Sequence, residues 1–181
     1  MTPALSPLSP LSPDKVWYAA RTRRNQEKVI KTRLEQIGVE HFIPFRREVR
    51  TRKDRRVELL VPVIPNIVFI YTDYQTSLAT VNDFGIRLSY IRQIDGRGRL
   101  VVPQKQMDDF KLICQSNVSY SVSGPETFAK GDRVVVVGGC LTGLEGELIH
   151  AARNGGRVIL KLDHIASFEL TISVNNLRKI K

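Results

Sequence analysis

From Phe128 to Gly146 the chain reads Phe-Ala-Lys-Gly-Asp-Arg-Val-Val-Val-Val-Gly-Gly-Cys-Leu-Thr-Gly-Leu-Glu-Gly, and this stretch leaves few folds open. The valines from Val134 to Val137 are β-branched and stiff at χ1, so they favour an extended strand. Gly138, Gly139, Gly143 and Gly146 fall where the backbone must take a positive φ or approach a neighbour closely. Lys130-Gly131-Asp132 makes a turn, Arg133 to Val137 a strand, and Glu147 to His150 the next strand. Strand, glycine loop and strand together specify a tight β-barrel. An ordinary hairpin with a glycine-rich turn is the plainer alternative.

Composition bounds what such a barrel is attached to. The 181 residues give room for one medium domain and a small one, and a hydrophobic content of 42% suits a packed core. The longest apolar run, Leu59 to Ile70, is interrupted by Pro62, Pro65 and Asn66 and is too short to cross a bilayer. The N-terminus has no basic flank followed by an apolar stretch, so no secretory signal is expected. Cys114 and Cys140 lie far apart, without Cys-x-x-Cys spacing, which favours two reduced thiols in a cytoplasmic protein. No membrane partner is expected, and a monomer is.

The formal charge is +10, and its location matters more than its size. Residues 15 to 57 hold 14 of the 28 Lys and Arg against five acids, while the rest of the chain is close to balanced. A positive surface concentrated on one part of a fold is the footprint of a polyanion partner. A solvated basic face that only aids solubility would carry the same charge.

Punctuation divides the chain. Residues 1–14, with Leu-Ser-Pro three times over, have no face to bury and read as a disordered leader. Residues 117–127 are rich in Ser, Gly and Pro and read as a linker, leaving one domain over 15–116 and the barrel over 128–181. In the first domain Val16 to Ala20 is a short strand. Asn25 is placed to cap a helix from Gln26 to about Ile37, with Gly38 as its stop. Ile30, Leu34 and Ile37 make its core stripe, and Glu27 stands in the favourable i,i+4 order with Lys31. Arg46 to Glu58 looks like a charged hairpin, Val61 to Tyr71 is the strongest strand, Tyr74 to Val81 a short helix, and Pro103 opens a helix to about Cys114. Strands alternating with helices argue for a compact α/β sandwich.

With Trp17-Tyr18, Pro44, Pro62-x-x-Pro65, Pro103 and the glycine-valine segment in this order, the run from Trp17 to Lys181 resembles the NusG family of transcription factors. The resemblance implies an α+β fold: an amino-terminal NGN sandwich on an antiparallel sheet, then a small five-stranded KOW barrel. Gly131, Asp132, Val134, Val136, Gly139, Gly143 and Gly146 match the KOW motif. General NusG proteins carry Pro-Gly-Tyr at the central strand, whereas this chain has Pro65-Asn66-Ile67, similar to specialised paralogues such as RfaH. The Pro/Ser leader is similar to the UpxY type that acts on capsular polysaccharide operons. Cys140-Leu141 and Leu144 replace the family's loop aromatics, which puts its contacts with Rho and a ribosomal protein in doubt.

The resemblance also implies partners. NGN domains dock on the clamp helices of RNA polymerase through an apolar depression, and the matching positions are Tyr18, Ile64, Pro65, Asn66, Ile67, Phe69 and Phe84. Ile67 and Phe69 point to one side of a strand and Val68 and Ile70 to the other, so only one set can face a partner. Plain core is the other reading of each. Specialised paralogues contact the non-template DNA strand, and Arg23, Arg24, Arg33 and Arg87 take those positions. Guanidinium groups can fork onto phosphate, contact guanine, or stack on an unpaired base. The hairpin basics, among them Arg46, Arg47, Arg50, Arg55 and Arg56, suit general phosphate contact.

An enzyme is not expected. The chain lacks Gly-x-x-x-x-Gly-Lys-Ser/Thr, Gly-x-Ser-x-Gly and His-Glu-x-x-His, and His41, His150 and His164 lie apart from one another and from both cysteines, so no metal or cofactor is expected. The competing class is a KOW protein of the ribosome that binds ribosomal RNA or assists assembly, and the ribosome is a further candidate partner through the barrel.

Overall fold

Extended β-branched runs and helical segments alternate along residues 15–52, 55–116, 118–123, 131–152 and 155–180, which are the residues described by a computed structural model. In chain order the elements are β1 (Val16–Thr22), α1 (Glu27–Gln36), β2 (Glu40–Phe42), β3 (Phe45–Arg52), β4 (Arg55–Pro62), β5 (Ile67–Thr72), α2 (Tyr74–Asn82) and β6 (Leu88–Tyr90). They continue with β7 (Val101–Val102), α3 (Gln104–Gln115), β8 (Tyr120–Ser123), β9 (Asp132–Val136), β10 (Glu145–Ala152), β11 (Gly155–Leu162), β12 (Ala166–Ile172) and β13 (Leu177–Lys179). The expected leader, the end of the linker and the start of the barrel at Phe128 lie outside the described residues.

Two compact units result: residues up to Ile43 with Asn66–Val101, and Pro44–Pro65 with the chain from Val102 onward. The first is built on an antiparallel sheet in the order β2-β5-β1-β6. Tyr18 stands opposite Ile70 and Ala19 opposite Phe69. Ile67, Val68, Phe69 and Ile70 are all buried, so β5 is covered on both faces. Ile30 and Leu34 of α1 are buried as well.

The run read as one strand from Val61 to Tyr71 is split, because β4 ends at Pro62 and β5 begins at Ile67. Pro65 has no N–H for a ladder, and Asn66 adopts φ +63°, which no strand accommodates. The entry to α1 also differs from expectation. Asn25 sits at φ +61° in the preceding turn, and the cap position falls to Gln26, whose side chain makes no capping bond. Lys31 pairs with Glu35 at 2.6 Å, not with Glu27. Gly38, at φ +68°, ends the helix as expected.

In the second unit β3 and β4 pair over their full lengths as a two-stranded ribbon. The other strands form one sheet in the order β13-β9-β10-β11-β12-β8. Among the described residues it has six strands where five were expected, because β8, from the segment read as a linker, pairs with β12. The Tyr120 ring meets Phe168 edge-on with centroids 5.9 Å apart, which gives that segment an aromatic anchor. Met107, Phe110 and Ile113 put one stripe of α3 in the core of this unit, so the grouping follows α3 rather than a boundary near residue 116. Val134, Val136, Val158 and Leu160 are buried. Leu148 is only half-buried, beside a register shift between Leu148 and His150.

Candidate nucleic-acid interface

At one end of the first sheet, Arg21 pairs with Ser89 and Thr22 with Leu88. Just past this pairing stand Arg23 and, 64 residues later in the chain, Arg87, which line the same hollows. Arg21, Arg23 and Arg87 line a cavity of about 390 Å³ whose apolar lining includes Val81, Ile86 and Leu88. Arg23 and Arg87 also line a second cavity of about 260 Å³ with Arg24, Gln26 and Ile30. All four arginines, Arg21, Arg23, Arg24 and Arg87, are exposed. Among the described residues none of them has a carboxylate within ion-pair distance. Unneutralised guanidinium groups around an apolar-lined hollow suit a ligand that carries phosphate on a flat ring.

Of the expected arginines, Arg23, Arg24 and Arg87 come together, while Arg33, exposed on α1, lines neither cavity. Arg21 was missed. Arg21 stands on β1 one residue before its end, whereas Arg23 lies just past that end, so strand alternation alone does not join them.

The loop that carries Arg23 and Arg24 is tied down from below. The N–H of Gln26 donates to the Arg23 carbonyl at 3.1 Å, closing a turn around Asn25. Glu27, in the first turn of α1, is only 3% exposed, and its Oε1 accepts the N–H of Asn66 at 2.9 Å. The Asn66 carbonyl in turn accepts the N–H of Thr22 at 2.9 Å. A carboxylate there also faces the positive end of the helix dipole.

The expected polymerase-docking residues do not share one exposed face. Phe69 is fully buried and Ile67 is 9% exposed; because β5 is covered on both faces, neither alternating set reaches the surface. Tyr18 is buried with its ring edge-on to Tyr90 at 5.8 Å and the Arg99 guanidinium 5.9 Å from its centroid. Burial pushes the Tyr18 phenol above its usual range, with Arg99 pulling the other way. Asn66 is half-buried and Phe84 is 54% exposed. Phe84, Ile37, Val39, Leu78 and Ala79 line a groove of about 540 Å³. Ile64, buried, and Pro65, exposed, belong to the second unit.

The residues matched to the KOW motif fall in and around β9 and β10. Val134 and Val136 are core, and Asp132 pairs with Lys179 at 2.8 Å. Gly139 and Gly143 take φ +85° and +90°, and a Cβ on Gly131 would run into the Leu148 carbonyl. Leu141 and Leu144, which replace loop aromatics, are buried, and Cys140 is exposed.

Among the described residues, antiparallel sheets with three α-helices and an arginine-lined hollow at one sheet end define the class, a mixed α/β protein with a cationic cleft. Residues 15–111, more than half of the chain, match the family described as transcription termination factor NusG, and the chain belongs to the NusG family. In structure it is similar to the NusG of Thermotoga maritima, studied for its domain interaction, with a TM-score of 0.50 and 16% identity over 93% of this chain and 98% of that one. That likeness shows the fold alone. A second similar structure is the MjSpt4:Spt5 complex in conformation B, at TM-score 0.25 and 16% identity over 91% and 97% of the two chains, too loose a likeness to support an argument. No curated protein matches in sequence. Among the described residues no three His, Cys, Asp or Glu side chains gather to hold a metal ion, and no helix is long and apolar enough to cross a membrane.

Proposed function

We propose that this chain is a specialised NusG paralogue that rides on RNA polymerase and promotes processive transcription, with its arginine cluster holding the non-template DNA strand. The observation that carries the reading is the meeting of Arg21, Arg23, Arg24 and Arg87 around two hollows without an acidic partner among the described residues. Polymerase binding is a property of the family, and the exposed Phe84 groove is the apolar surface of the first unit that suits it. Tyr18, Ile67 and Phe69 are buried and line no part of that groove. The carboxy-terminal sheet takes the role of a KOW domain. Restriction to particular long operons, such as those for capsular polysaccharide, rests on the resemblance of the leader and the Pro65-Asn66 pair to specialised paralogues.

Affinity capture of the full chain from a nuclease-treated lysate tests the polymerase half. Polymerase subunits should be retained, and recovery of ribosomes alone would favour the ribosomal class. Replacing Arg23, Arg24 and Arg87 together by alanine tests the nucleic-acid half. Every guanine that loses its arginine should cost about 1–3 kcal/mol in recruitment to a paused complex. Equal recruitment of the triple variant at physiological salt would leave only a solvated basic face.

A further inference from the structure

We propose that Glu27 is a positioning residue for the arginine cluster, acting through Asn66 and Thr22 rather than by touching the ligand. The inference rests on the nucleic-acid reading above. A negative charge beside a polyanion site weakens binding by simple electrostatics, so an acid there needs a reason. Glu27 is buried, unlike the arginines around it, and it is committed to a backbone N–H 39 residues away at 2.9 Å.

That bond joins the three segments that hold the cluster. Asn66 lies at φ +63° just before β5, and its carbonyl holds Thr22 at the end of β1. Thr22 pairs with Leu88 on the other side, which fixes β6 and therefore Arg87. From Thr22 the chain turns through Arg23 and Arg24 and returns to Glu27 itself. The carboxylate thus closes a ring: strand end, arginine turn, helix start, and back through Asn66. Four arginines repel one another, and a turn carrying two of them opens unless something holds its base. Glu27 supplies that hold from the buried side, without neutralising the guanidinium groups that face outward.

Two substitutions separate geometry from charge. Glu27→Asp keeps the charge but shortens the reach by one methylene, while Glu27→Gln removes the charge and keeps an oxygen acceptor at the same reach. Binding of the full chain to a labelled mixed-sequence single-stranded DNA is measured by anisotropy at a temperature where circular dichroism shows each variant folded. The positioning role expects Glu27→Asp to bind about tenfold more weakly, the order that one well-placed arginine–base pair supplies. It expects Glu27→Gln to rescue, binding at least as tightly as the parent. A purely electrostatic role moves only the Gln variant, and a purely structural role shifts melting and leaves both affinities alone. Parent affinity in Glu27→Asp, or a Gln variant as weak as the Asp variant, overturns the proposal. The Arg23→Ala, Arg24→Ala, Arg87→Ala chain serves as the control. If it binds like the parent, the nucleic-acid reading has failed; if it is weakened while Glu27→Asp is not, the positioning role alone has failed.

Discussion

The rings of Phe110 and Phe168 lie with centroids 4.8 Å apart and planes tilted by 37°, joining α3 to β12 inside the second unit. Both side chains are fully buried. Phe110→Ala removes the ring from the helix side and leaves a cavity against Phe168. The expected loss is about 3–5 kcal/mol, seen as a lower urea midpoint with an unchanged slope. A loss below about 1 kcal/mol would mean that α3 is not part of that core.

Gly146 lies in β10 where it crosses β11. A Cβ added there would stand 2.6 Å from the Ile159 carbonyl oxygen and 2.7 Å from Val158 Cγ1. Backbone cannot yield as a flexible side chain does, so Gly146→Ala should cost about 1–3 kcal/mol in chemical denaturation. Gly98→Ala, with open space around it, is the control and should stay close to the parent.

Two aspartates should oppose each other in acid. Backbone and hydroxyl bonds from Thr76 hold the Asp73 carboxyl below the ordinary range, so its stabilisation is present above the unfolded value of 3.8 and is lost as pH falls through the lower folded value. Burial holds the Asp109 carboxyl above that range, with Lys105 at 2.6 Å working against it. Its contribution is therefore greatest below 3.8 and is lost as pH rises through the raised folded value. Asp73→Ala should cost about 1 kcal/mol at neutral pH, as removal of an N-cap does, and less in acid. Asp109→Asn should flatten the acid limb in the other direction. Melting temperatures of both variants across the acid range check the two signs.

The two thiols should differ in reactivity. Cys140 is exposed, whereas burial pushes the Cys114 thiol up to about 12, and a hydrogen bond with Tyr120 only partly offsets that. Alkylation at mild alkaline pH should modify one thiol per folded chain, mapped to Cys140 by mass spectrometry, and two after denaturation. Equal labelling of both in the folded state would show that the α3 end opens readily.

Much of the helix and turn punctuation could be read along the chain because its signals are local. Gly38 stops α1 and Pro103 precedes α3 through backbone restrictions that each residue carries by itself. Asn66 belongs here too. Its φ of +63° lies in the region that glycine and asparagine tolerate best, so an asparagine directly after Pro65 is a local signal for the break before β5. Which side of β5 reaches the surface was not legible, because alternation tells which residues share a side and not whether the other side is covered as well.

Residue order alone carried the NusG resemblance, the succession of strands and helices, the positive charge between residues 15 and 57, and three of the four clustered arginines. Each of these depends on residue identity or short-range geometry. It took the folded chain to show that residues 120–123 join a sheet, that α3 packs with the carboxy-terminal strands, and that Glu27 turns inward to Asn66 instead of outward to Lys31. Those outcomes depend on pairing across many residues, where buried area and the need to satisfy every enclosed N–H outweigh local spacing.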